Sequence, residues 1–468
     1  MKLYKIIAIL LFTFVWNGCS VSKDMALPES APETFRTTFP VDSSSIGNIP
    51  LKSLINDITL EKLIDTALVK NYDMQIALKN IDAAEVLFIK SKLGYLPELK
   101  LQFAANSTRP SDNSLNGLTL SQFLGTTHIE DYSANADVFW EADIWGKIRN
   151  QKSGALASYL QTREAGKAVQ TRLVADVAKG YYNLLMLDKQ LEIAKKNLKL
   201  NDNTLNVMGL QFDAGQVTSL AVQQAQALQL NAEKLIPKLK QDIILQENAL
   251  SILIGIEPKE IIRENHLDNI TITQDLNAGF PSAMLNRRPD IKNAELALKI
   301  ANAKVGIAKA NLYPSLMITA NGGINSFKTS NWFTIPASLF GMVSGGITQP
   351  IFQRGQLKSN LKLAKIDREM TVIKFRQVFL NAVGEVSNEL TKVKKLEEQY
   401  NIAEKRVLTL QAALRNADML FVSGMATYLE IINAQSNLLQ GELELATIKT
   451  EQLNTTVGLY RSLGGGWN

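Results

Sequence analysis

The stretch LQFDAGQVTSLAVQQAQ, Leu210 to Gln226, is repeated in outline as LFVSGMATYLEIINAQ, Leu420 to Gln435. Gly215 and Gly424 lie 209 residues apart, and so do Gln226 and Gln435. In each copy a glycine turn interrupts a long helical pattern. A second block behaves the same way. NYDMQIALKNIDAAEVLFIKSKLGYLPELKL, from Asn71, aligns without a gap to RPDIKNAELALKIANAKVGIAKANLYPSLMI, from Arg288. Asp73 pairs with Asp290, Ala84 with Ala301 and Pro97 with Pro314, each 217 residues apart. Gly255 and Gly464 form a third pair, 209 residues apart. Three blocks in the same order describe an internal duplication, far longer in period than a solenoid repeat. The first half carries about eight net residues more, since the offset falls from 217 to 209.

Both halves have one plan. A helix ends at Pro97 or Pro314. A section richer in Gly, Ser and Thr follows. A very long helix then runs to the Gly215 or Gly424 turn, and a second helix closes at Gly255 or Gly464. The long stretch spaces apolar residues by three and four: Val169, Leu173, Val177, Gly180, Leu184, Leu187, Leu191, Ala194 and Leu198. That is a coiled-coil-like seam. Lys147 to Phe212 would extend about 100 Å as one helix at 1.5 Å per residue.

The section after each proline alternates. From Ser133 to Ile144 the even positions are Ala134, Ala136, Val138, Trp140, Ala142 and Ile144, and the odd ones are polar except Phe139. Leu99, Leu101, Phe103 and Ala105 face one way, and Lys100, Gln102 and Asn106 the other. Period two with one apolar face predicts a strand. A soluble sheet on helices and a membrane-barrel strand both have this pattern, and the segments have the length of the second. Weaker counterparts are Leu316 to Asn321 and Leu339 to Phe352. Four strands cannot close a barrel, and lipid tolerates no open edge. Strands that span a membrane here must be shared among chains, and three chains supply about twelve.

The start of the chain adds a destination. Lys2 and Lys5 precede the apolar run Ile6 to Val15, then Asn17-Gly18-Cys19. This is a secretory signal over residues 1–18. Cys19 is the only cysteine. It is either the acylated first residue of a mature lipoprotein or a thiol discarded with the signal. Residues 19–58 read as an extended, lipid-anchored arm, 59–258 as the first repeat, 259–279 as a linker and 280–468 as the second repeat. No stretch reaches the 18 or so consecutive apolar residues of a membrane helix.

Composition narrows the classes. A net charge of +5 on 95 ionised side chains argues against nucleic acid as a partner. The two histidines, His128 and His266, sit beside no cluster of carboxylates or nucleophiles, and no phosphate loop or metal spacing is present. The chain is expected to be no enzyme and to need no cofactor. Eleven scattered methionines suggest no soft-metal path.

Four motifs carry a resemblance. They are FPSAMLNRRPDIKNAELALKIANAKVGIAKANLYPS, Phe280 to Ser315; the ending LYRSLGGGWN, Leu459 to Asn468; WEADIWGK, Trp140 to Lys147; and TQPIFQRG, Thr348 to Gly355. With these the chain resembles the TolC-type outer-membrane efflux channels, in the NodT-like lipoprotein branch. The resemblance implies a mostly α fold with membrane β, built as a homotrimer. Three chains would share a twelve-stranded barrel in outer-membrane lipid, and long helical hairpins would form a periplasmic α-barrel. It implies a passive exit duct of a tripartite pump, working with a periplasmic adaptor protein and an inner-membrane transporter. The competing reading is a structural or adhesive surface lipoprotein built on helical hairpins.

By the same resemblance the two glycine turns are hairpin tips that meet the adaptor: Gly215, Gln216, Val217 and Thr218, and Gly424, Met425, Ala426 and Thr427. Glu430 and Asn433 fall where the family carries two gate acids after the second tip. A ring of Glu430 side chains would raise their pKa by mutual repulsion. Some relatives lock the closed state through an Asp, a Tyr and an Arg. Here Ala221, Phe421 and Ala426 occupy those places, and none can form that lock. Phe421 is then the expected packing residue of the gate.

Overall fold

The computed structural model describes residues 22–26, 35, 46–48, 57–270, 281 and 287–467. The signal segment and Cys19 lie outside them, as does most of the arm. Eight main helices and four strands follow in chain order: α1 (Ile58–Lys70), α2 (Tyr72–Leu93), β1 (Glu98–Thr108), the short α3 (Leu115–Thr119), β2 (Ile129–Ala142), α4 (Lys147–Asp213), α5 (Ser219–Leu253), α6 (Pro289–Ala310), β3 (Ser315–Ser326), β4 (Leu339–Thr348), α7 (Gln356–Val422) and α8 (Tyr428–Ser462). No described helix is long and apolar enough to cross a membrane.

The duplication holds residue by residue. α4 and α7 each have 67 residues and α5 and α8 each have 35, both pairs offset by 209. α2 and α6 each have 22 residues, offset by 217. The offset changes between the strands of each half. Loop 109–128 joins β1 to β2, and the shorter loop 327–338 joins β3 to β4. The eight extra residues therefore sit in the first strand connection.

The chain divides into two compact units, with boundaries inside α2, α4, α6 and α7. One unit holds the four strands, antiparallel in the order β1-β2-β3-β4. Their register carries the alternation across the whole sheet. Leu99, Leu101 and Phe103 stand opposite Val138, Ala136 and Ala134. Val138, Ala136 and Ala134 meet Ala320, Gly322 and Ile324, and those meet Val343, Gly341 and Leu339. One face is thus apolar across the middle of the sheet, and it turns polar toward the strand connections at Ser107, Glu130 and Ser326. The other brings Lys100 opposite Asp137 and Asp137 opposite Asn321. Asn321 donates to Asp137, Asn135 donates to the same carboxylate at 2.9 Å, and Asn325 donates to Asp131 at 2.5 Å. Phe139, the exception in the alternation, lies on this polar face with the Lys100 ammonium 5.4 Å from its ring centre. β4 stops at Thr348, short of Phe352, because Pro350 has no N–H to continue the ladder.

The apolar face is capped by aromatic residues where the strands join the helices. Trp145 stacks on Tyr313 at 4.7 Å and donates its indole N–H to the Pro314 carbonyl at 2.7 Å; Trp140 donates to the Tyr95 carbonyl at 3.0 Å. Such rings, apolar in body and polar at the tip, suit a membrane boundary.

The other unit is helical. α4 and α5 form one hairpin, and α7 and α8 the other. Of the seam residues, Leu173, Val177, Leu184 and Ala194 are buried, while Val169, Leu187, Leu191 and Leu198 are partly so. At Gly180 α5 packs closely: a Cβ there would stand 3.2 Å from the Leu250 side chain. Leu60 and Ile64 of α1 and Leu453 and Val457 of α8 join the same core. A second core gathers Ile291, Phe375, Phe379, Val386, Leu459 and Tyr460.

Candidate functional site

The tips are built by one backbone device. At the first, Gly215 takes φ +72°, its N–H bonds to the Phe212 carbonyl at 2.9 Å, and the Gln216 N–H reaches back to the Gln211 carbonyl at 2.8 Å. At the second, Gly424 takes φ +75°, bonds to Phe421 at 3.0 Å, and Met425 reaches Leu420 at 2.8 Å. This pair of bonds is the Schellman closure, and its left-handed residue favours glycine because a Cβ would clash with the local carbonyl.

Beyond the glycines the tips differ. Thr218 starts α5 with no side-chain cap bond, and three residues later stands Ala221, fully buried. Thr427 starts α8 with its hydroxyl accepting from the Leu429 N–H at 3.3 Å and donating to the Glu430 carboxylate at 2.5 Å. Thr-x-x-Glu is a capping box. The Thr427 hydrogen bond first, then the backbone N–H groups of the helix start, hold the Glu430 carboxyl below its ordinary range. Within one chain the shift therefore runs opposite to the one that mutual repulsion would produce. The pattern Thr427-Tyr428-Leu429-Glu430 was available in the sequence as a helix start and signals this role without any family comparison.

Gly215, Gln216 and Thr218 are exposed, and Val217 is partly so. Gly424, Met425 and Thr427 are exposed, and Ala426 is partly so. Both tips present apolar side chains to the outside: Leu210, Phe212 and Leu220 at the first, Met419, Val422, Met425 and Leu429 at the second. Glu430 and Asn433 lie three residues apart on α8, on adjacent exposed positions of one face. Phe421 is half-buried on α7. The first hairpin meets the second through Gln435, whose side-chain amide donates to the Thr204 hydroxyl at 2.8 Å.

At the other end of the hairpins are two ionic networks. Arg288 of the RRPDI motif grips Asp290 with two N–H groups at 3.0 and 2.8 Å, Glu385 at 2.8 Å and the Ser462 carbonyl at 2.6 Å. Arg461 donates to the same Glu385. Burial works against the Asp290 charge, but the bonds from Arg288 outweigh it and hold that carboxyl below the ordinary aspartate range. The motif thereby ties the start of α6 to the end of α8. The second network escaped the sequence reading. Arg263, in the segment read as a linker, donates to Asp188 at 2.6 and 3.0 Å and to Glu247 at 2.5 Å. Ile261 and Leu267 beside it are buried in the core. Only the polarity of that segment marked it, and polarity alone points to a loop.

A doubled chain with four strands, apolar along one face, and two long helical hairpins defines a subunit of a membrane duct. The profile of the Outer membrane efflux protein family matches residues 63–256 and again 280–465, once for each half. The chain belongs to that family. It is 29% identical to the probable efflux pump outer membrane protein TtgC of Pseudomonas putida, over 97% of this chain and 94% of that one. It is 26% identical to the probable outer membrane lipoprotein SilC of Salmonella typhimurium, over 97% of each. The open state of the MtrE outer membrane channel of Neisseria gonorrhoeae superposes with a TM-score of 0.86 at 25% identity, over 96% of this chain and 99% of that one. The protein is accordingly an outer-membrane efflux channel component, extending into the periplasm, and the adhesive reading is set aside.

Proposed function

We propose that three copies of this chain close one twelve-stranded barrel and that the hairpin tips form its gated, adaptor-binding end. The observation that carries the reading is the sheet. It has only four strands, so the outer edges of β1 and β4 are left without a partner among the described residues. Unpaired N–H and C=O groups are not tolerated in lipid. Pairing β4 of one copy with β1 of the next removes every edge. The apolar face then meets lipid, and Asp131, Asn135 and Asp137 line the water-filled side.

Six tips per trimer would present the exposed Leu210, Phe212, Leu220, Val422 and Met425 to a periplasmic adaptor, which links the duct to an inner-membrane transporter. Glu430 and Asn433 would line the narrow end, with Phe421 packing it closed. Ala221, Phe421 and Ala426 supply no polar lock, so closure would rest on apolar contact. Cys19 would carry the lipid anchor, in keeping with the lipoprotein name of SilC.

The mass of the detergent-solubilised protein by light scattering tests the assembly. Three chains are expected, and a monomer or a tetramer overturns the shared barrel. Cross-linkers placed at Gln216 and Met425 should capture a periplasmic protein; capture only from positions on the sheet would displace the docking role from the tips.

A further inference from the structure

The strand connections at the end of the sheet remote from the helix junctions are unusually apolar. Loop 109–128 exposes Leu115 (81%), Leu118 (50%) and Phe123 (80%), and loop 327–338 exposes Phe327 (57%), Phe333 (72%) and Ile335 (65%). Connections that face water are normally polar, and exposed apolar side chains clustered at one end mark a contact surface. The clustering has a direction. Trp332 packs on Tyr132 with ring centres 6.0 Å apart, and Phe333 lies 5.0 Å from Trp332. Tyr132 precedes Ala134, Ala136 and Val138 on the apolar face of β2. The second loop therefore folds onto the side of the sheet that faces lipid, and its aromatic group prolongs that face. Lys328 stands beside it with its ammonium 5.6 Å from the Phe327 ring, and Arg109, which opens the first loop, lies 3.8 Å from the Asp112 carboxylate. Long cations at the border of an apolar patch keep their charge at headgroup level while their stems stay apolar.

We infer that both loops lie on the membrane, with Phe123, Phe333 and Ile335 seated among the lipids of the outer leaflet. The inference rests on the barrel reading above. The occupant is lipid because the Trp332–Tyr132 contact joins the second loop to the face that lipid would cover in the barrel. It also gives the eight extra residues of the first half a use, since loop 109–128 supplies Leu115, Leu118 and Phe123.

The test is site-directed spin labelling of the full chain, with Cys19 replaced by serine and single cysteines introduced as Phe123→Cys, Phe333→Cys or Ile335→Cys. Each labelled protein is placed in vesicles of phosphatidylethanolamine and phosphatidylglycerol, and collision with oxygen is compared with collision with a water-soluble nickel chelate. Val343→Cys serves as the lipid control and Asn135→Cys as the aqueous control. The expected result is that oxygen collides more often than nickel at all three loop positions, as at 343, while 135 favours nickel. If 343 is lipid-exposed but the loop positions favour nickel, the loops stand in water and the inference fails alone. If the loop positions are shielded from both reagents, they pack against another copy, and the inference fails as well. If 343 itself favours nickel, the barrel reading falls and takes this inference with it.

Discussion

Both helices of each hairpin end in the same Schellman arrangement, the first at the tip and the second at the base, yet the two ends sit in different surroundings. At the tips, a Cβ on Gly215 or Gly424 would meet nothing within 4 Å. At the bases, Gly255 bonds to Ile252 at 3.0 Å and Ile256 to Ser251 at 3.0 Å, and a Cβ on Gly255 would stand 2.2 Å from the Lys70 carbonyl oxygen. Gly464 repeats the motif with Arg461, and its Cβ would stand 3.0 Å from the Arg287 backbone. One local solution therefore serves two purposes. The bases use glycine both for its left-handed φ and for the close approach of a neighbouring chain segment. The tips use it for φ alone, which leaves their outer surface free for a partner.

The sharpest way to break this comparison is at Gly255. Gly255→Ala combines left-handed strain with a backbone clash and should destabilise by about 2–5 kcal/mol. Thermal unfolding in detergent reads it, and a cost no larger than that of Gly215→Ala would remove the distinction between base and tip. Arg263→Ala is the next test of the base. It leaves Glu247, with a side chain only 8% exposed, facing no cation, and should cost about 3 kcal/mol. If unfolding is unchanged, the network is a surface pair and the segment around it is a simple linker.

The tips should respond more mildly. Gly424→Ala and Gly215→Ala should each cost about 1–2 kcal/mol from backbone conformation alone, seen as faster amide exchange confined to the tip. Thr427→Ala should then cost about 1 kcal/mol and Thr218→Ala less, because only Thr427 caps its helix through its side chain. Equal effects would mean that the capping box does not distinguish the two tips.

The pH dependence gives the smallest and most specific effect. The Glu430 carboxyl is held below its ordinary pKa, so its contribution is present above the ordinary glutamate range and is lost as pH falls through the depressed value. Acid should loosen the second tip. At the first, Ala221 stands at the position equivalent to Glu430 and offers no carboxyl, so the same response is not expected there. Amide exchange at acid and neutral pH separates the two. In planar bilayers, Glu430→Gln should lower cation selectivity, and unaltered selectivity would confine Glu430 to capping.

Much of this protein was legible before any coordinates. The duplication shows in Asp73/Asp290 and Gly215/Gly424 because equivalent backbone conformations need equivalent residues. The strands show in Ala134, Ala136, Val138 and Trp140 because a pleated chain turns alternate side chains to opposite faces. The long helices show in the spacing of Leu173, Val177 and Leu184. These signals lie within a few residues of one another and follow from backbone geometry alone. Glu430 belongs with them, since a threonine three residues before a glutamate specifies a helix start.

The tertiary structure alone decided the partners. Nothing in the neighbourhood of Arg288 says that it binds the Ser462 carbonyl, 174 residues away. Nothing near Arg263 says that Asp188 and Glu247 await it, or near Gly255 that Lys70 closes over it. Such pairings depend on which helix faces lie against each other, and apolar seams of similar composition can pack in several ways. Local periodicity set the elements and their order. Which faces packed together, and so which buried charges found partners, was settled only when the whole chain was folded.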